Sequence, residues 1–552
     1  MVVSNFEHLP GPIFGGDIYR DRGFVQSIIN GNAPWNDAYF YGHLQYYPYL
    51  AFMLMAGLVK LTGMSINAMF LVFSLMIPLI SALVFYLVCL YLFKDRVYAA
   101  IGGLIYGSFN SFVNFKGAGL SALVTLPLFF YFWLRYEESN EKRFALFSGG
   151  MLGLTSLIHG GVFLTGAGIL LTFIGLLIMY DFYKKRDWRI LKDYIRKYYL
   201  IILTTGGISS LFYLPLLFKY RFNTPNPVTS YGDVGIHKLG LNWVFDILKG
   251  NFFNTNSIVY FILSIIAFIG LVYFVINYKK NSYMLVSLWF VCNLIIMQHH
   301  QMTKPLLDMW FLPQKLVFIG FFSSIFLVGG LKVVYSNLKK YNISKGIFLV
   351  LVLILLATPL AAAKYDSYVS NMWVQYGMNL DPQGEMMYEL GDYLKNALGN
   401  DETVLAHDET SFGITAISGK HVVISRRTHA SYFVDVDKRV ADAAVMMYSN
   451  DIEKVEELLK GYNVRYFYVD GHLIKSYMLT RPEFSDYLAD YGVDFQLENI
   501  KLDPAQPDEI AYKQDMLLIP PQEFGVIEEL IDTLAVSKID DEIASILYEV
   551  KV

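Results

Sequence analysis

Residues 15–63 read GGDIYRDRGFVQSIINGNAPWNDAYFYGHLQYYPYLAFMLMAGLVKLTG. The first half is polar and aromatic, and it carries Asp17, Arg20, Asp21 and Arg22. It closes on Tyr46-Tyr47-Pro48-Tyr49 and then turns apolar. From there to about residue 363 the chain is a series of membrane-length apolar runs. A carboxylate-bearing loop that leads directly into such an array points to chemistry at a membrane surface.

The composition agrees. Of 552 residues, 55% are hydrophobic and 17% charged, with a mean hydropathy of +0.40. Soluble domains carry roughly 25% charged residues. Aromatic side chains make up 16%, with 41 Tyr and 42 Phe, as expected where rings sit at membrane interfaces. A net charge of −4 argues against a nucleic-acid partner. Cys89 and Cys292 both lie in apolar runs, which disfavours a disulfide framework or a cysteine-based metal site. No cleavable signal peptide is visible at Met1.

A membrane helix needs about 20 apolar residues. Runs at 66–93, 97–115, 117–134, 144–159, 162–180, 198–218, 257–277, 282–298, 311–331 and 346–363 predict about ten spans. The most basic connection, 181–197 (DFYKKRDWRILKDYIRK), belongs on the cytoplasmic side. Alternation from it places 94–96, 135–143, 278–281 and 332–345 inside too, where most of the loop Lys and Arg then fall. The loops 219–256 and 299–310, and all that follows 363, face outward. The run 48–62 is short and follows a proline, so it is expected to lie in the interface rather than to cross. The segment before it is then extracytoplasmic, which calls for a membrane helix upstream of Met1.

After 363 the composition becomes that of a soluble domain. Residues 386–398 predict a helix, 404–407 and 421–425 short strands, and Ser418-Gly419-Lys420 a turn. An amphipathic helix is expected over 451–461, followed by a buried strand at 464–469 (VRYFYV) and a final helix or two over 521–549. The predicted organisation is a first outer loop with an interfacial helix (1–65), a polytopic α-helical membrane domain (66–363) and an extracytoplasmic α/β domain (364–552).

This order of parts resembles the GT-C class of membrane glycosyltransferases, above all the catalytic subunit of oligosaccharyltransferase and its archaeal relatives. Two stretches carry the resemblance: 15–63, quoted above, and VLAHDETSFGITAISGKHVVISRRTHASYF at 404–433. The resemblance implies a first-loop Asp, here Asp17, as catalytic base or as a ligand of Mg²⁺ or Mn²⁺. It also implies a polyprenyl-linked donor, a protein or glycan acceptor on the outer face, and membrane lipids as surroundings. Two departures stand out. The turn Asn114-Phe115-Lys116-Gly117-Ala118-Gly119 holds no carboxylate where the family has its second acidic motif. The family's Trp-Trp-Asp signature is replaced by His407-Asp408-Glu409-Thr410. The resemblance therefore speaks for a lipid-linked sugar transferase, with little support for a sequon acceptor, and metal independence stays open.

Glycosyl transfer needs a carboxylate to take the acceptor's proton and positive charge to meet the departing phosphate. Asp17 and Asp21 are four apart, so they share one face of a helix. Asp17 could equally be a capping residue after two glycines. Arg20 and Arg22 could grip phosphate or serve as surface partners of the two acids. Asp37 suits a turn. Lys116, His159 and Lys315 are candidates to contact the lipid phosphate, with snorkelling Lys side chains and an interfacial His as the plainer alternatives. His299-His300 form an outer pair that point apart on any regular element. Arg426 and Arg427 could bind an anionic sugar or phosphate, or could organise the domain with nearby acids. His407, Asp408 and Glu409 sit at a strand end, where ligands are often met. The long loop 219–256 is expected to move. Two other classes compete with the enzyme. A lipid-linked glycan transporter would carry charges inside its spans, and these runs hold almost none. A non-enzymatic scaffold would leave Asp17 dispensable.

Overall fold

A computed structural model describes residues 6, 8–11, 13, 16–109, 116–221, 223–226, 258–297, 315–355, 372–378, 381–501, 513–539 and 542–552. The chain divides into two compact units. One is Leu71–Tyr213 with Gly235–Ser370; the other joins Met1–Phe70, Leu214–Val234 and Asn371–Val552. His299, His300, Gln314, Asn114, Phe115 and the stretch 227–256 lie outside the described residues.

The first unit is helical. Four helices of the chain are long and apolar enough to cross a membrane: Ile66–Phe93, Gly160–Lys185, Arg189–Tyr220 and Gly320–Tyr341. The pair Phe261–Ile276 and Asn281–Ile295, bent by 119°, makes a fifth if taken as one span. The expected run 97–115 begins with the helix Arg96–Phe109, after which residues 110–115 lie outside the described residues, and the run 117–134 is helical from Ala118 to Ser139 through a π turn at Ser121–Thr125.

The basic connections meet at one end of this unit. Lys345 Nζ lies 2.5 Å from Asp95 Oδ2, and Lys280 donates to the Leu92 carbonyl at 2.7 Å. Glu137 accepts from Lys197 Nζ and Tyr198 Oη, each at 2.5 Å. Tyr91 reaches Glu138 at 2.5 Å. The loops at 94–96, 135–143, 278–281 and 332–345 and the end of 181–197 are thereby tied together. Glycine sets the closest approach. A Cβ on Gly270 would stand 1.7 Å from the Phe326 carbonyl oxygen, and one on Gly330 would stand 1.8 Å from that of Ile266. Helices pack this tightly in lipid through small residues. Stacked Trp133 and Trp289, 4.5 Å apart, fill the core.

The second unit is mixed. Its helices are α1 (Asp17–Ile29), α2 (Leu50–Thr62), α3 (Pro382–Ala397), α4 (Asp408–Ser418), α5 (Val436–Tyr448) and α6 (Ile452–Tyr462). Its strands are β1 (Thr403–Leu405), β2 (His421–Val422), β3 (Val464–Asp470), β4 (Met478–Thr480), β5 (Gln496–Lys501), β6 (Lys513–Ile519), β7 (Ile531–Ile539) and β8 (Glu542–Val550). Five strands order as β2-β1-β3-β8-β7, the first three parallel and the last two antiparallel; β4-β6-β5 form a second sheet. Aspartate side chains start three of the helices. Asp381, Asp435 and Asp451 accept from Gly384, Lys438 and Lys454 N–H groups three residues on.

Helix α2 keeps the expected 48–62 element. Its 13 residues cover about 20 Å, too short to span, and Met53, Leu54, Leu58 and Leu61 are exposed along it. Residues 408–418 form a helix between the two short strands. One expectation needs correction. The 521–549 segment forms the β7–β8 hairpin, entered by a 3₁₀ turn at Val526–Leu530, and not helices. Apolar Ile543, Ile546, Leu547 and Val550 have helical spacing, which makes that segment read as a helix. Buried β3 has one edge filled by β1 and needs a partner on the other; β8 supplies it, from Tyr466 opposite Glu549 to Asp470 opposite Ser545. Tertiary pairing outweighs the local period.

Helix α1 belongs to this unit and packs on α4. The Arg22 guanidinium is buried there, donating to the Ala416 and Ile417 carbonyls at 2.6 and 2.8 Å and to Asn67 Oδ1 at 3.0 Å. Asn30 donates to the Ser418 carbonyl at 2.7 Å. The orphan carbonyls at the end of α4 are thus satisfied from α1. Arg22 is a buried C-terminal cap, not a surface partner of the two acids.

Candidate functional site

Gly16 enters α1 with φ 99°, a left-handed conformation that a side chain would disfavour. That turn makes Asp17 the first residue of the helix, where a carboxylate faces the positive end of the macrodipole. Arg20, one turn on, bridges both acids. Its Nη1 lies 3.2 Å from Asp17 Oδ1, and its Nε and Nη2 lie 3.1 and 2.7 Å from Asp21 Oδ1. The shared face expected for the two acids is therefore present. Their surroundings differ: the Asp21 side chain is 2% exposed and that of Asp17 is 34% exposed. The Arg20 guanidinium also covers the Tyr47 ring at 4.3 Å. Burial alone would lower the Arg20 pKa, but Asp17 and Asp21 more than offset it and hold it above its ordinary value.

A histidine completes this end of α1. His429 Nε2 lies 3.4 Å from Asp17 Oδ1. Burial pulls the His429 pKa down and the Arg20 charge adds to that, while Asp17 pulls it up; the net shift is downward. The carbonyl of His429 accepts from Tyr46 Oη at 2.7 Å, and Thr428 Oγ1 sits 3.0 Å from His429 Nδ1. Phe412 of α4 packs on the imidazole at 4.9 Å, and Arg426 lies over Phe412 at 4.7 Å. The Arg426 guanidinium grips Glu409 through two hydrogen bonds, one of them 2.8 Å long. Tyr46 meets Tyr432 edge to face at 5.0 Å. A half-exposed carboxylate, a histidine, two guanidinium groups and a collar of aromatic rings therefore form one continuous cluster within the unit.

The other expected residues distribute as follows. His407 caps α4 with Nδ1 3.0 Å from Asp408 Oδ1, and its ring stacks on His472 at 6.0 Å. Burial pulls the His407 pKa down, but Asp408, Asp470 and Glu409 pull harder, and it ends above its ordinary value. Arg427 turns away from Asp17 toward buried Asp437 and the Leu479 carbonyl, the domain-organising arrangement. Asp37 forms the expected turn, accepting from Tyr39 and Phe40 N–H groups at 2.8 and 3.0 Å. In the helical unit, His159 caps Gly160–Lys185 by accepting from Val162 N–H at 3.3 Å. Lys116 opens a turn whose carbonyl accepts from Gly119. Lys315 begins the helix Lys315–Leu338, and its side chain lies outside the described residues.

His429 is the residue that sequence reasoning named without weighing. Only the fold brings it to Asp17, across more than four hundred residues of chain. As a divalent-metal site the cluster fits poorly. Arg20 and His429 share Asp17 Oδ1, the guanidinium repels a cation there, and no group of three or more His, Cys, Asp or Glu among the described residues could hold one.

No family model matches the chain. An uncharacterized protein of Methanocaldococcus jannaschii is 29% identical over 99 residues, 18% of this chain and 73% of that protein. Among solved structures, the Archaeoglobus fulgidus oligosaccharyltransferase in complex with Zn and sulfate is similar over 92% of this chain and 69% of its own, at 14% identity and a TM-score of 0.49. ArnT from Cupriavidus metallidurans bound to undecaprenyl phosphate is similar over 94% and 95%, at 11% identity and a TM-score of 0.45.

Proposed function

We propose that this chain is an inverting membrane glycosyltransferase. It moves a sugar or glycan from a polyprenyl-phosphate-linked donor to a protein or glycan acceptor on the outer face of the membrane. The mixed unit faces outward, and the helical unit supplies the remaining spans of the ten-span arrangement. One observation carries the reading: Asp17, the acid in the first-loop position of the resemblance, keeps a partly exposed carboxylate while Arg20 and Asp21 beside it are buried.

In this reading Asp17 is the general base. It takes the acceptor's proton as the acceptor attacks the anomeric carbon from the face opposite the phosphate. The carbon–oxygen bond to phosphate breaks, and the phosphate leaves with the electron pair. Arg20 orients Asp17. His429 fixes the same oxygen from the other side. Buried Asp21 anchors Arg20 rather than reacting. Arg426, with Glu409, His407 and Asp408 behind it, faces the sugar or acceptor. Lys116, His159 and Lys315 are proposed to meet the donor's phosphate. Lys116 then supplies charge where the family has its second acid. Aromatic rings such as Tyr46 and Tyr432 suit the apolar faces of a sugar.

The test is transfer of radiolabelled sugar from a polyprenyl-phosphate donor by membranes carrying wild type or Asp17→Ala. The expected result is transfer by wild type and a loss of about 10²-fold or more in the variant. Equal transfer by both removes Asp17 from the chemistry, and no transfer by wild type removes the function. A parallel arm with a chelator measures dependence on a divalent cation.

A further inference from the structure

The loop that carries His429 has no regular structure beyond one 3₁₀ turn, Arg427–His429, yet His429 must be held at Asp17. Its backbone is fixed from outside. Asn226, which is fully buried, donates its main-chain N–H to the Tyr432 carbonyl at 3.2 Å. Its side-chain Nδ2 donates to the Arg427 and Ser431 carbonyls, both at 3.2 Å. One residue therefore satisfies three carbonyls that flank His429 on both sides, while Tyr46 takes the carbonyl of His429 itself.

We propose that Asn226 is the positioning residue that presents His429 to Asp17; its catalytic consequence rests on the glycosyltransferase function, its geometric one does not. Both Nδ2 hydrogens are used, and Oδ1 has no hydrogen-bond partner among the described residues. A buried acceptor left without a partner is costly, so the site keeps this orientation for its two donors. The residue is also well held. Two turns upstream, Lys219 donates to the Gly42 carbonyl at 2.6 Å, and the Tyr220 ring stacks on Phe433 at 4.8 Å while its hydroxyl accepts from Leu44 N–H at 2.9 Å. Lys219, Tyr220 and Asn226 are thus fastened to the two segments that bear Tyr46 and His429. The nearly isosteric Asn226→Asp is informative. It preserves the shape but sets a carboxylate against two carbonyl oxygens, so it should displace the loop more than Asn226→Ala does.

The experiment uses the full chain carrying Asp17→Cys and His429→Cys, with dibromobimane, which fluoresces when it bridges two nearby thiols. Cys89 and Cys292 are buried, and single-Cys chains set the background. Bridging is expected to be efficient with Asn226 present. It should fall about fivefold or more in Asn226→Ala, and further in Asn226→Asp. Tyr46→Phe, a milder change to the same loop, should give a smaller drop. Equal bridging in all backgrounds overturns the proposal. In otherwise wild-type chains, Asn226→Ala should lower kcat with KM nearly unchanged. A wild type that transfers no sugar would refute the enzyme while the bridging yields still decide the positioning.

Discussion

Two clusters of aspartate and arginine sit in the mixed unit, and they are built differently. Around Asp437 the central carboxylate is enclosed by two guanidinium groups. Asp437 is buried between Arg427 and Arg481, Arg481 also reaches Asp435 at 2.9 Å, and Arg427 donates to a backbone carbonyl. Around Asp17 the same residue types leave one acid half in the open. Arg20 is shared with buried Asp21, and the second neighbour is a histidine rather than another guanidinium. Identical chemistry thus becomes scaffold or site according to how completely each carboxylate is enclosed. That difference is what assigns Arg427 to the framework and its neighbours Arg426 and His429 to the Asp17 cluster.

The strongest way to break this contrast is to remove the enclosed partner. Asp437→Ala strands two guanidinium groups, one of them four-fifths buried, and should cost about 3–5 kcal/mol of stability. Thermal unfolding should show a fall of many degrees, whereas Asp17→Ala should leave the unfolding temperature close to wild type. Matching losses in the two variants would erase the distinction.

A smaller effect lies in acid. Burial, with help from the Arg439 charge, pushes the His43 pKa down to about 4, and burial does the same to His421. Unfolded, each takes a proton near pH 6.5. The unfolded chain therefore binds more protons between about pH 6.5 and 4, and stability falls as pH drops through that window. Asp37 runs the other way. Burial pushes it up to about 6, so the native state holds the extra proton from about pH 4 to 6 and gains stability there. Asp37→Asn should steepen the acid loss and His421→Gln should flatten it, as read by unfolding temperature against pH. Unchanged profiles would contradict the burial of these groups.

The smallest effect concerns the pair at the start of α4. His407 has its pKa raised by Asp408, so the pair's contribution is complete below about pH 6.5 and fades as pH rises through the raised His407 value. Asp408 is partly exposed, which limits the loss in Asp408→Asn to about 1 kcal/mol or less. A loss as large as that of Asp437→Ala would place His407 and Asp408 in the framework.

Much of this architecture is legible in the sequence because it is local. Apolar runs give the helices Ile66–Phe93 and Gly160–Lys185, an aspartate followed by an amphipathic stretch gives α6, and VRYFYV gives β3. What escapes is decided by distant partners. The β7–β8 hairpin follows β3's need for an edge. Arg22 looks like a surface charge until α4 brings its terminal carbonyls to it. Asp17 is singled out in the sequence by the resemblance, and its pairing with Arg20 follows from helical spacing. His429 is not, because nothing in Arg-Arg-Thr-His marks which of four polar residues will turn inward.

Asp17 is proposed as the working carboxylate of a glycosyl-transfer site. The most direct measurement is the rate of sugar transfer from a polyprenyl-phosphate donor by purified, membrane-reconstituted protein, comparing wild type with Asp17→Asn, which keeps the shape and removes the base. The account predicts robust transfer by wild type and a fall of about 10²–10⁴-fold in Asp17→Asn at an unchanged unfolding temperature. Transfer by Asp17→Asn at the wild-type rate would contradict it.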